Sequence, residues 1–389
     1  MTMGRDMRLE AEYRSGILRK MLFIAALAAV CIAAAGISLT INGRGIGFLD
    51  CYEYILGHIA GATYERGTAA WFDDYVLWNT YLPRIVMAIV SGCGLAVSGV
   101  LMQGVLSNPL ADPYTTGVSD GAALGASVAI ITGLTFSSIA GSMGIVANAF
   151  VCSIIPAAIL IVLSNVIRMT PATCILAGTA LSGILSGIQS LIMYGADSDT
   201  LASALKWGIG TFNQTSWDDC MVPIVVTAAG IAASAFLHRG LNLLALGDAG
   251  ARSLGLDADR FRTVCMIVAT LVATSVICYV GVIGFVGLVA PHMVRMAIGG
   301  DNRLVIPASM LAGSALLLVS DLLARVLVYP DELRVGVFMS VIGAPVFLFM
   351  ILGRKRRYGE GFRCPRHPPQ AWSPNTAAIP PGRCASWPF

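Results

Sequence analysis

Few residues in this chain have the type and spacing that catalysis needs. Gly117-Val118-Ser119-Asp120-Gly121 spells G-x-S-x-G, which presents a nucleophilic serine when it joins a strand to a helix, and His292 is a base by type. Here those residues open an apolar stretch, so Ser119 reads as a helix-start residue and Asp120 as a cap. There is no G-x-x-x-x-G-K-[ST] phosphate loop, so any ATP must be hydrolysed by another chain. Six of ten cysteines (Cys31, Cys93, Cys152, Cys174, Cys265 and Cys278) fall in apolar stretches without metal-ligand spacing and read as small packing residues. Cys51 and Cys220 share one side of the expected topology and are open to pairing, which sequence alone does not decide. Cys364, His367 and Cys384 lack a fourth ligand and regular spacing, so no metal site is expected.

Ionisable residues are also scarce where an ion carrier would need them. Asp120 sits at the start of one apolar stretch, and Asp321 with Arg325 near the end of another. A secondary transporter or channel, the second reading, would place such groups inside its spans facing a cavity. Their scarcity moves the energy source onto a partner.

The elements that must position these residues follow from composition. Of 389 residues, 56% are apolar and 12% charged, with mean hydropathy +0.77; a soluble domain averages about 45–50% and about 25%. The 42 glycines have no three-residue period and are embedded among Leu, Ile, Val and Ala, as in packed transmembrane helices. A net charge of +3 that comes from the chain ends is not a basic face, so no nucleic-acid partner is expected.

The expected fold is all-α and polytopic, with ten spans at 21–41, 80–106, 115–133, 139–167, 172–195, 219–238, 261–281, 283–298, 304–327 and 334–353. Residues 261–298 read as either one long helix or two short ones. With both termini cytoplasmic, 19 of the 25 Lys and Arg fall inside, leaving Arg44, Arg66, Arg84, Lys206, Arg325 and Arg334 outside. The first apolar run is too long for a signal peptide and reads as a retained helix in the cell membrane. The domain reading is a cytoplasmic segment 1–20, a membrane domain 21–353, and a basic tail 354–389 whose Pro-rich part, 358–389, is expected to be disordered. Gly117, Gly121 and Gly125, and Gly183 with Gly187, have the four-residue spacing of closely packed helices.

The most informative polar segment is 241–260, LNLLALGDAGARSLGLDADR, on the expected cytoplasmic side. It reads as a short helix in which Gly247 permits a turn, Asp248 caps the first turn, and Gly255 stops the helix after Leu254. Such a helix is unstable alone. It packs either on its own membrane domain or as a docking ridge for a cytoplasmic protein, with Leu246, Ala251 and Leu254 as contacts.

Five segments, in order, resemble the FecCD family of ABC-transporter permeases. They are LPRIVMAIVSGCGLAVSGVLMQGVLSNPLADPYTTGVSDGAALGA (82–126), LNLLALGDAGARSLGL (241–256), GFVGLVAPHMVR (284–295), DLLAR (321–325) and IGAPVFLFMIL (342–352). The resemblance covers roughly residues 15 to 355. It implies a type II ABC importer permease that carries iron-siderophore, haem or cobalamin-type cargo and binds no cofactor itself. The implied partners are a second permease copy, two ATP-binding cassette ATPase subunits and an extracytoplasmic substrate-binding protein. Residues 246–255 then resemble the segment that fits a cleft in the ATPase, with Leu246, Gly247, Asp248, Ala251, Leu254 and Gly255 as docking residues.

By the same resemblance, Arg84 and Arg325 receive acidic residues of the binding protein, the alternative being arginines that snorkel to the interface. Tyr81 stands where the family often has a further arginine. Thr170-Pro171-Ala172-Thr173 resembles the cytoplasmic gate loop, where Pro171 and Ala172 depart from the usual small polar residues. His292 and Arg295 read equally as helix-end residues or cargo contacts. Arg334 replaces a proline before the tenth span, which implies a less rigid turn there.

Overall fold

The computed structural model describes residues 3–41, 45–136, 141–166, 171–328 and 331–361, and among these it contains no strand. The helices are α1 (Met3–Thr40), α2 (Phe48–Ile59), α3 (Ala69–Val76), α4 (Leu82–Val105), α5 (Val118–Thr132), α6 (Ser142–Val166) and α7 (Pro171–Tyr194). They continue with α8 (Ser198–Trp207), α9 (Trp217–Leu244), α10 (Asp248–Ser253), α11 (Ala258–Val280), α12 (Val286–Ile298), α13 (Asn302–Val326) and α14 (Val335–Gly361).

Each expected span corresponds to one helix. Seven helical segments, including the continuous 69–105, are long and apolar enough to cross a membrane, and three more apolar helices, in α5, α12 and the first part of α14, are shorter. α1 begins at Met3, so the helix runs through the segment 1–20 that was expected to precede it. α14 continues to Gly361, past the expected start of the Pro-rich tail, and the rest of that tail lies outside the described residues. The chain divides into two compact units, 1–347 and 348–389. α2, α3 and α8 were not anticipated, because at 12, 8 and 10 residues they are too short for a search for spans. A π turn, Leu77–Tyr81, joins α3 to α4 immediately before Pro83, whose missing N–H interrupts the regular ladder.

α4 is the hub. It packs against α9, α11, α12 and α13, and small residues let those helices come close. A Cβ on Gly92 would lie 2.5 Å from the carbonyl of Gly313 in α13, and one on Gly99 would collide with the carbonyl of Gly287 in α12. Two apolar layers stack along α4. Ile85 to Leu95 join Ala273, Ile277, Leu317 and Phe338 in one, and Ala96 to Leu106 join Leu241, Cys265, Ala290 and Val305 in the other. Gly121 and Gly125 meet the α6 backbone at Cys152 and Asn148, the close packing that their spacing predicts. A Cβ on Gly183 or Gly187 of α7 would meet nothing within 4 Å, so that stripe packs on nothing among the described residues.

The stretch 261–298 forms two helices. Residues 281–285 between them are non-helical, a conformation tolerated at membrane depth only where protein satisfies the freed backbone groups. That condition holds: Gly210 N–H donates to the Val282 carbonyl (2.9 Å) and Tyr114 Oη to that of Ile283 (2.8 Å).

Gly99→Ala should force α4 and α12 apart and lower the melting temperature in detergent, since overpacking a tight contact costs about 1–3 kcal/mol. Gly300→Ala, in the turn before α13 with open space around it, should leave melting unchanged. Equal melting of the two variants would refute the role given to the α4–α12 contact.

Candidate functional site

At one end of the bundle α10 projects between α9 and α11 on two glycine turns, Gly247 (φ +84°) and Gly255 (φ +84°), a backbone that other residues reach only with strain. Its exit is a Schellman stop: Leu256 N–H donates to the Ala251 carbonyl (3.0 Å) and Gly255 N–H to Arg252 (3.0 Å). Leu246 is 65% and Leu254 60% exposed, whereas Ala251 is fully buried among Leu244, Leu256 and Phe261. The expected trio of contacts is therefore split. Ala251 seats α10 on its own domain, because a six-residue helix needs one face in the core, and only the two leucines face outward.

Asp248 does not cap α10 as expected. Its two oxygens instead lie 2.5 and 3.1 Å from the Arg262 guanidinium, which holds its carboxyl below the usual carboxylate range. A lowered carboxyl pKa means that this tie is intact above the ordinary carboxylate pKa. It is lost only as pH falls through the depressed value.

At the opposite end, Arg84 and Arg325 are each 4% exposed. Their guanidinium groups, which the resemblance gives to acidic residues of a binding protein, bond within the chain. Arg84 donates through Nε (3.1 Å) and Nη2 (2.9 Å) to Asp321 and through Nη1 (2.7 Å) to Glu332. Arg325 lies 3.3 Å from Asp321, donates to the carbonyls of Ser38 and Ile41 and to Ser38 Oγ, and stands 5.9 Å above the ring of Tyr81. Two cations and two carboxylates thus join the ends of α1, α4 and α13 to the turn before α14. Tyr81 gives this cluster a π face where another arginine would add repulsion.

That turn is firmly held. Arg334 Nη1 donates to the carbonyls of Lys206 (2.5 Å) and Ile209 (3.1 Å) at the end of α8, and Gly336 N–H to Gly210 (2.9 Å). In place of a proline, which has no side-chain donor, the Arg334 guanidinium supplies these hydrogen bonds.

The remaining candidates are dispersed. Thr170 lies outside the described residues. Pro171 opens α7, Ala172 is exposed and Thr173 half-buried. Ser119 is in α5, which packs on α6 and α7, while His292 is in α12, which packs on α4 and α13. Asp120 accepts a hydrogen bond from Ser186 Oγ (3.2 Å), and His292 meets Phe347 edge-on at 5.9 Å. Cys51 Sγ donates to the carbonyl of Leu39 and Cys220 Sγ to that of Pro83. No group of metal-binding side chains occurs among the described residues. Arg262 had no motif to reveal it; only the fold brings it to Asp248.

Residues 27–353 match the sequence profile of the FecCD transport family. The chain belongs to this family. It is 36% identical over 286 residues (73% of this chain, 85% of the relative) to the hemin transport system permease protein HmuU of Yersinia pestis. It is 34% identical over 306 residues (78% and 90%) to the vitamin B12 import system permease protein BtuC of Vibrio cholerae. A solved structure described as an inward-facing metal-chelate type ABC transporter superposes with a TM-score of 0.73 at 27% identity, covering 85% of this chain and 98% of that one.

In this FecCD chain the motif segments are largely packing segments. The first holds Gly92 and Gly99, GFVGLVAPHMVR holds the α11–α12 break and Gly287, and DLLAR holds both members of the Asp321–Arg325 pair.

Asp321→Leu should be more damaging than Arg84→Met, because it leaves the buried Arg325 without a carboxylate and Arg84 with Glu332 alone. Leaving a buried charge without its partner costs about 3–5 kcal/mol, readable as a lower melting temperature. A smaller loss for Asp321→Leu than for Arg84→Met would contradict this.

Proposed function

We propose that this chain forms the translocation path of an ATP-driven importer for iron-siderophore, haem or cobalamin-type cargo, coupled to a separate ATPase through α10. One observation carries the reading: two large apolar side chains, Leu246 and Leu254, flank a helix that is otherwise seated and pinned. Exposed leucines on a rigid, protruding helix suit an apolar cleft in a partner. The cargo class follows the hemin and vitamin B12 named for the related permeases. Large cargo suits a wide, weakly binding path, with selectivity held by an extracytoplasmic binding protein.

The orientation follows the positive-inside bias, which puts α10 and both termini in the cytoplasm of a cell-membrane protein. The binding protein then docks at the opposite end. With Arg84 and Arg325 buried, the exposed cations there among the described residues are Arg66 and Lys206. Exposed charges of this kind set encounter and register more than affinity. A second copy of the chain meets the face of α7 where Gly183 and Gly187 are uncovered and Leu176 and Leu191 are 70% and 76% exposed. The path runs between the two copies, with the region of Pro171, Ala172 and Thr173 at its cytoplasmic gate. Two ATPase subunits, one on each α10, close on ATP and tilt the helices.

In proteoliposomes holding the complete transporter, Leu254→Asp should abolish uptake and substrate-stimulated ATP hydrolysis while membrane insertion remains normal. Normal uptake by that variant would defeat the docking role of α10. Uphill accumulation by this chain alone on a proton or sodium gradient would instead support the secondary-transporter reading.

A further inference from the structure

A push on Leu246 and Leu254 reaches the bundle only through whatever else holds α10. Its flanking glycine turns are hinges in form, and the seat of Ala251 is apolar contact, which resists separation but has little direction. One side chain provides a directional link. Arg262, in the second turn of α11, has a side chain only 12% exposed. Its Nη2 and Nη1 donate to the two oxygens of Asp248, the first residue of α10, at 2.5 and 3.1 Å. Its Nε donates to the carbonyl of Val105, the last residue of α4, at 3.0 Å. That carbonyl is among the four left unpaired at a helix C-terminus, where the helix dipole favours a cation.

A single planar guanidinium with fixed donor directions therefore joins the start of α10 to the end of the hub helix. There is little slack beyond Val105. Two residues earlier, Gln103 Nε2 donates to the Gly287 carbonyl of α12 (3.2 Å), and Gly99 abuts the same glycine one turn further along. The other ion pair on α10, Arg252 with Asp259 at 2.9 Å, reaches only α11. Its side chains are 55% and 71% exposed, so solvent screens it.

We infer that Arg262 is the positioning residue that transmits displacement of α10 to α4, so that closure of the ATPase moves the hub helix as well as the surface loop. This rests on the reading of α10 as the ATPase contact. Arg262 touches neither cargo nor the proposed partner; it acts through Asp248 and Val105.

The test uses the complete transporter in proteoliposomes with Arg262→Gln, which keeps a neutral donor but loses the fork and the charge, and Arg262→Lys, which keeps only the charge. Both variants should assemble with the ATPase and hydrolyse ATP, while cargo moved per ATP falls about tenfold, within the usual range for a coupling interaction. Nitroxide pairs at Ser107→Cys and Ser253→Cys, just past α4 and at the end of α10, add a readout that lost stability alone would not move. Their distance should stay constant on ATP binding with Arg262 present and change without it.

Wild-type transport per ATP and an unchanged label distance in Arg262→Gln, with Leu254→Asp inactive, would overturn this inference and leave the docking reading standing. Normal uptake by Leu254→Asp would remove both. If Arg262→Gln fails to assemble, Arg262→Lys carries the same two readouts.

Discussion

Backbone-to-backbone approach along α4 is the constraint on which the rest of the molecule depends. Gly92 against Gly313 and Gly99 against Gly287 leave no room for a Cβ, so α12 and α13 take the positions that van der Waals contact with α4 permits. In a bilayer the lipid tails are as apolar as leucine, so helices are held by close fit and by internal polar bonds. Both are present here. The close fit runs down the length of α4, and polar bonds close the broken backbone at 281–285 through Tyr114 and Gly210.

The same logic explains where the charges go. Asp321, placed near a span end with Arg325, belongs to a buried network with Arg84 and Glu332 that ties together the ends of α1, α4 and α13 and the turn into α14. Burying these ions is costly, and their pairing recovers the cost only because nearly every donor of Arg84 has an acceptor. At the α10 end, Arg262 plays a comparable part with a partner that remains half-exposed. One end of the bundle is thus locked by buried ions, while the other is held by a link that solvent reaches.

Much of the architecture was legible in advance because membrane helices advertise themselves by length and apolarity. The spans 80–106 and 304–327 differ from α4 and α13 by no more than two residues at either end. What escaped was of two kinds. α2, α3 and α8 are too short for a length criterion to find. The burial of Arg84, Arg325 and Ala251 depends on neighbours more than two hundred residues away in two cases, and no local pattern encodes that. The Gly183–Gly187 stripe has the spacing of a packed face but no partner among the described residues. Small-residue spacing shows that a close approach is possible, not what approaches.

By itself the sequence determined the class of molecule, the number and order of apolar helices, the positions of the glycine turns around α10 and the family. All of these follow from local composition, period and the φ freedom of glycine. Only the tertiary structure decided which polar residues remain available for partners. Arg84 and Arg325 turn inward to Asp321, Ala251 turns into the core, and Leu246 and Leu254 remain outside. The physical reason is that availability is what remains after each charge and apolar surface has found its lowest free-energy neighbour, and those neighbours are set by helix packing across the whole chain.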